Sequence, residues 1–168
     1  LAYALACPEN DVTLADLALL CDAFYIGGTK CGAMFGEAVV IPNPRLLPHM
    51  TTIIKQHGAL LAKGRLLGIQ FDELFKNNLY HTIGQDAITY GNQIRQACEK
   101  AELPLYFENP TNQIFCLVTK EQMEKLSKNV IFSFWEKYND ELTVTRFATS
   151  WSTRKEDVEA LCQVIEEL

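Results

Sequence analysis

The stretch DAFYIGGTKCGAMFGEAVVI, Asp22 to Ile41, sets a single lysine, Lys30, among Gly27, Gly28, Gly32 and Gly36, with apolar runs on both sides. FYI and EAVVI are predicted strands, the second stopped by Pro42-Asn43-Pro44. Two roles stay open for Lys30 on spacing alone. Glycines mark turns, and a lysine at a hairpin tip is normally solvated. An amine that attacks a carbonyl, by contrast, must be unprotonated and must meet a flat partner closely. That asks for desolvation and for backbone without side chains on the approach path. Two buried strands around Lys30 would keep its amine from water and favour the neutral form. The phosphate-binding pattern G-x-x-x-x-G-K-[ST] is not met, since Lys30 follows Thr29 and precedes Cys31 and no helix opens behind it.

Outward from this stretch, the 168 residues are 48% hydrophobic, enough for a real core. The net charge of -6 argues against the clustered Lys and Arg of a nucleic-acid footprint. The longest apolar runs fall far short of the roughly 20 residues of a membrane helix, so no membrane partner is expected. Cys7, Cys21, Cys31, Cys98, Cys116 and Cys162 are scattered, form no C-x-x-C pair and fall mostly in apolar patterns. Reduced, buried thiols of a cytoplasmic protein are predicted. No metal is expected, because His49, His57 and His81 are not spaced with the cysteines as zinc ligands.

Thr13 with Asp16 three residues on predicts a capping box opening a short helix. From Pro44 to about Glu102 the pattern is helical in three segments, LLPHMTTIIKQHG, ALLAKGRLLGIQFDELFKNN and HTIGQDAITYGNQIRQACEKAE. The middle one is apolar around much of its circumference, which predicts burial, here by a partner chain. After Leu103 come short alternating elements: LPLYF, NQIFCLVT, the helix KEQMEKLSKN, IFSFWEKYN and LTVTRFATSW. A last helix is expected to open on a capping box of Thr153 and Glu156 and to present Val158, Leu161, Cys162, Ile165 and Leu168 on one face. Strands with two helices make a small α+β unit.

In TVTRFATSW alternate residues share a face, so Val144, Arg146, Ala148 and Ser150 lie together, opposite Phe147, Thr149 and Trp151. Arg146 is then either a bidentate carboxylate ligand or an edge-strand charge that resists aggregation. His57, beside a glycine at a helix bend, is expected to be a structural hydrogen-bonder, and Cys31 fills space.

FYIGGTKCGAMFGEAVVI, IIKQHGALLAKGRLLGIQFDEL and RFATSW together resemble the threonine aldolase and β-eliminating lyase family of pyridoxal phosphate enzymes, within the aspartate aminotransferase-like fold. The resemblance covers nearly the whole chain. It implies an α/β, fold type I architecture: the end of a large αβα domain with long interface helices over 1–102, and a small C-terminal α+β domain over 103–168. It implies that Lys30 binds pyridoxal 5'-phosphate covalently and that Thr29 lies near the cofactor phosphate. Lys55 would reach that phosphate, often from a neighbouring subunit, and Lys63 stands near where relatives carry an arginine. Arg146 matches the arginine that holds the amino-acid substrate's α-carboxylate.

The implied activity is a low-specificity threonine aldolase, cleaving a β-hydroxy-α-amino acid to glycine and an aldehyde, in a homodimer or homotetramer. β-Elimination on the same scaffold, or an inert interaction piece, are the alternatives. The aspartate that pairs with the cofactor's pyridine nitrogen belongs, by the same resemblance, to a segment like Asp-Gly-Ala-Arg-Leu, and the chain opens at Leu1. The expectation is therefore a C-terminal half, inactive without the missing N-terminal half.

Overall fold

The computed structural model describes all of residues 1–168. In chain order the elements are α1 (Ala2–Ala6), α2 (Leu14–Leu20), β1 (Phe24–Gly27), β2 (Glu37–Val40), α3 (Met50–Gln56), α4 (Arg65–Phe75), α5 (Leu79–Thr82), α6 (Gln85–Lys100), β3 (Gln113–Thr119), α7 (Lys120–Leu126), β4 (Ser133–Lys137), β5 (Leu142–Ala148) and α8 (Lys155–Glu166). Two larger apolar cores organise them, with a smaller cluster of Phe115, Leu117 and Val144 on the other face of the C-terminal sheet.

The first core gathers Ala2, Ile26, Cys31, Leu74 and Tyr80 beneath an antiparallel ribbon of β1 and β2. An isolated two-stranded ribbon is marginal in water and needs packing on one face. Here Ile26 supplies that face and α1, α4 and α5 cover it, while Tyr25 and Val39, register partners on the other face, stay exposed. The two strands are thus half-exposed rather than buried. The second core lies under the antiparallel sheet of order β3-β5-β4. Ile114, Cys116 and Val118 of β3 and Phe147 of β5 face Ile94 and Cys98 of α6, Leu126 of α7, and Val158 and Ile165 of α8. Each such aliphatic side chain contributes on the order of 1.5–3 kcal/mol when taken fully out of water. Helix α6 therefore closes the core of the C-terminal unit, although it precedes residue 103.

Local chemistry explains most of the boundaries. Thr13 caps α2 in the expected capping box with Asp16, and Thr119 caps α7 in a second one with Gln122. The box expected of Thr153 and Glu156 does not form. Helix α8 begins one residue later behind Arg154, because the Thr153 hydroxyl instead accepts the Ser150 N–H at 2.8 Å. The predicted apolar face of α8 does pack on the sheet. LPLYF makes only an isolated bridge, Leu105 to Cys116. Pro104 has no N–H to extend a ladder, and Tyr106 and Phe107 leave it to stack with each other and with Tyr138 and Phe115. All six cysteines are free thiols. No helix is long and apolar enough to cross a membrane.

The segment ALLAKGRLLGIQFDELFKNN is helical only from Arg65, and of α4 only Leu74 is buried. Leu60, Leu61, Leu66 and Ile69 stay exposed. Every hydrogen bond of residues 42–64 stays within that arm or reaches only the first turn of α4. No residue of α3 is buried.

Candidate functional site

Lys30 lies in the loop joining β1 to β2, and the loop is shaped by its glycines. The Gly28 carbonyl accepts from the N–H groups of Cys31 (3.0 Å) and Ala33 (2.9 Å), folding the chain back on itself. A Cβ on Gly28 would stand 2.8 Å from Cβ of Ala33 and 3.1 Å from Cζ of Phe71, so no other residue fits there. Gly32 has φ +106°, a conformation that side chains disfavour. From the far side Gln70 of α4 accepts the Met34 N–H at 2.6 Å and donates to the Phe35 carbonyl at 3.2 Å. Cys31 is buried against the Gly28 carbonyl, and burial raises its pKa, so the thiol fills space and stays protonated.

The amine of Lys30 is exposed and has no carboxylate partner. This corrects the expectation that the flanking strands shield it from water. The ribbon covers the root of the loop and leaves its tip open. The loop is nonetheless held in place. The Tyr3 hydroxyl donates to the Lys30 carbonyl and accepts the Trp151 N–H at 3.2 Å. The tip of the lysine loop is thereby tied to the segment that follows β5, the strand carrying Arg146.

Arg146 is on the central strand of its sheet, which removes the edge-strand explanation of its charge. Phe115 and Ser133 are its register partners on β3 and β4. Thr145, Phe147 and Thr149 are buried on the opposite side, as the alternation predicts. Nη1 of Arg146 donates to Oε1 of Gln113 at 3.3 Å and Nη2 to Oγ of Ser133 at 3.5 Å; its Cζ sits 5.2 Å from the Trp135 ring centroid. Nε is buried and has no partner. A groove of about 1070 Å³ between α8 and residues 129–133 reaches Arg146 and Thr149.

Of the other candidates, Thr29 adjoins Lys30 in the loop, while Lys55 and Lys63 belong to the arm of residues 42–64. Lys55 is exposed in the last turn of α3 and Lys63 is exposed in the turn before α4; neither forms an ion pair. Thr29 is exposed and its hydroxyl makes no hydrogen bond. His57 is exposed at the C-terminal end of α3. No cluster of His, Cys, Asp or Glu forms a metal centre. Sequence patterns did not single out Tyr3, Gln70, Gln113, Ser133 or Trp135.

The chain thus offers an unpaired amine on a loop that admits close approach, and an arginine with no internal counter-charge. Such a donor set fits an electrophilic, anionic cofactor and a carboxylate-bearing substrate.

No family model matches the chain, and no curated protein matches it. Among solved structures, a threonine aldolase from Leishmania major is 38% identical with a TM-score of 0.92, the match covering 99% of this chain and 48% of that one. An 8-amino-7-oxononanoate synthase (bioF) from Francisella tularensis, 17% identical with a TM-score of 0.53 over 79% of this chain and 41% of that one, shares the fold alone. The chain spans about half the length of the aldolase. With nearly every residue superposing at this identity, the chain matches about half of a threonine aldolase and has the architecture of the C-terminal part of a fold type I pyridoxal phosphate enzyme.

Proposed function

We propose that the full-length protein is a pyridoxal phosphate-dependent threonine aldolase of broad specificity, acting in the cytoplasm on β-hydroxy-α-amino acids to give glycine and an aldehyde. The observation that carries this is the placement of Lys30: an amine free of any acid, on a loop whose glycines leave the approach clear, tied through Tyr3 to the segment that follows the arginine strand. The likeness to a threonine aldolase over 99% of the chain supports the same choice of reaction.

Lys30 holds the cofactor through its amine, and Thr29 offers a hydroxyl for the phosphate beside it. Lys55 and Lys63, on the exposed arm, are proposed phosphate ligands supplied to a neighbouring subunit. Pyridoxal 5'-phosphate, when bound, draws electron density from the substrate's Cα. Arg146 grips the α-carboxylate with parallel N–H donors and so fixes which bond at Cα or Cβ is presented for cleavage. The exposed Leu60, Leu61, Leu66 and Ile69 of the arm support assembly as a homodimer or homotetramer that would cover them. The chain divides into the C-terminal part of the large domain over 1–102 and a small α+β domain over 103–168, with α6 packed across the boundary.

Borohydride reduction followed by peptide mapping tests the assignment. A reduced pyridoxyl adduct on Lys30 is expected, and none in Lys30→Ala; an adduct elsewhere, or none at all, would sink it. Incubation with threonine and, separately, with tryptophan or tyrosine separates the reactions. Glycine and an aldehyde from threonine, with no pyruvate or ammonia from the others, mark the aldolase; pyruvate with ammonia marks β-elimination.

A further inference from the structure

Every polar neighbour that holds Arg146 is neutral. Gln113 Oε1 at 3.3 Å and Ser133 Oγ at 3.5 Å lie at or beyond the long end of ordinary hydrogen bonds, and Nε has no partner. The protein carries 21 Asp and Glu, yet none forms an ion pair with this guanidinium. The acids close to it in the fold are engaged or remote. Asp157, on the same groove, takes both donors of Arg154 at 2.9 and 2.7 Å. Glu136, opposite Val144 on the Arg146 side of the sheet, lies beside the Tyr106 phenol, whose pKa it raises, and forms no ion pair. Glu167 lines the groove at the far end of α8, about 15 Å from Asp157 at the helical rise of 1.5 Å per residue.

A half-buried cation without a counter-ion is costly, so its surroundings must hold it by other means. Trp135 is one of them, and its position is set by the backbone. The β4–β5 register shifts between Phe134 and Glu136, so Trp135 is the extra residue of a β-bulge. A bulge of this kind re-aims a side chain, and here the ring comes under the Arg146 guanidinium and meets Phe115 edge-on with centroids 5.0 Å apart. Phe115 in turn stacks on Phe107 at 4.9 Å.

The geometry points to Gln113, Ser133 and Trp135 as positioning residues that hold Arg146 in place while leaving its charge unneutralised for the substrate's carboxylate. The inference rests on the reading of Arg146 as the carboxylate ligand. Long neutral hydrogen bonds orient the guanidinium and give way readily to the shorter, charge-assisted pair that an incoming carboxylate offers. A tryptophan face attracts the cation without supplying a competing anion.

Gln113→Glu separates this role from a structural one, because it keeps the shape and strengthens the hold on Arg146 while cancelling its charge. In the full-length holoenzyme, glycine affinity by titration calorimetry is expected to fall by about tenfold or more, with the thermal midpoint unchanged or raised. KM for threonine should rise in parallel, with kcat much less affected. Trp135→Leu should weaken glycine binding by about fivefold, and Trp135→Phe should restore most of it. This pair decides the question should Gln113→Glu not fold. Glycine binding within twofold of the parent in both Gln113→Glu and Trp135→Leu overturns the inference. Arg146→Leu is the control: if it too binds glycine normally, the carboxylate role of Arg146 is what fails. If it alone loses binding, only the positioning role fails.

Discussion

The Tyr3 phenol donates a hydrogen bond to the carbonyl of Lys30, 27 residues further along the chain. The same oxygen accepts from the Trp151 N–H, so one side chain joins α1, the lysine loop and the segment that follows β5. Burial raises the Tyr3 pKa, which keeps the proton needed for donation in place at neutral pH. Tyr3→Phe removes both bonds, each worth about 1 kcal/mol net. Amide exchange read by mass spectrometry should then accelerate in residues 29–33 and at Trp151, with α6 and β3 unaffected. Equal protection of the loop in both proteins would show that the bridge holds nothing.

The capping boxes at Thr13 and Thr119 are chemically alike, and they should respond differently to the same substitution. Each threonine accepts an N3 amide at 3.2 Å. Loss of such a cap costs about 1 kcal/mol of helix stability. Helix α7 anchors Leu126 in the larger core, whereas α2 buries no residue. Thr119→Ala should therefore lower the midpoint of global urea unfolding, while Thr13→Ala should change only local exchange in 14–20. Equal shifts in the two midpoints would contradict this division.

The sequence was most legible where one residue type has one physical use. Period-two alternation separated Arg146 from Phe147 and Thr149 on the two faces of the Arg146 strand, and the glycines around Lys30 marked a tight loop, because each pattern follows from backbone geometry alone. The exposure of Lys30 was not legible. Apolar strands predict burial only if something covers both faces, and the ribbon of β1 and β2 is covered on one. The cradle of Arg146 was hidden for a different reason. Gln113, Ser133 and Trp135 meet only through the register of three strands and a bulge, and no local pattern encodes a bulge. Thr153 misled because it had two possible uses, and the turn at Ser150 took it.

Tyr80 ties the first core to the root of the lysine loop and should make that connection sensitive to alkali. It is fully buried, donates to the Gly27 carbonyl at 3.1 Å and stacks on Phe75 with ring centroids 5.0 Å apart. Burial pushes its phenol up to about 12, above the ordinary tyrosine value of about 10. The folded state thus holds this proton more tightly than the unfolded state does. The resulting contribution to stability is complete below about pH 10 and is lost as pH rises through about 12. Tyr80→Phe lacks the proton and leaves the Gly27 carbonyl unpaired, so it should be less stable than the parent by about 1–3 kcal/mol at pH 8. In urea unfolding at successive pH values, the gap between the two proteins should narrow between pH 10 and 12, as the parent loses what the variant never had. A gap constant to pH 12 would mean that the phenol ionises as easily folded as unfolded, and that its burial does not govern the alkaline limit of the lysine-loop core.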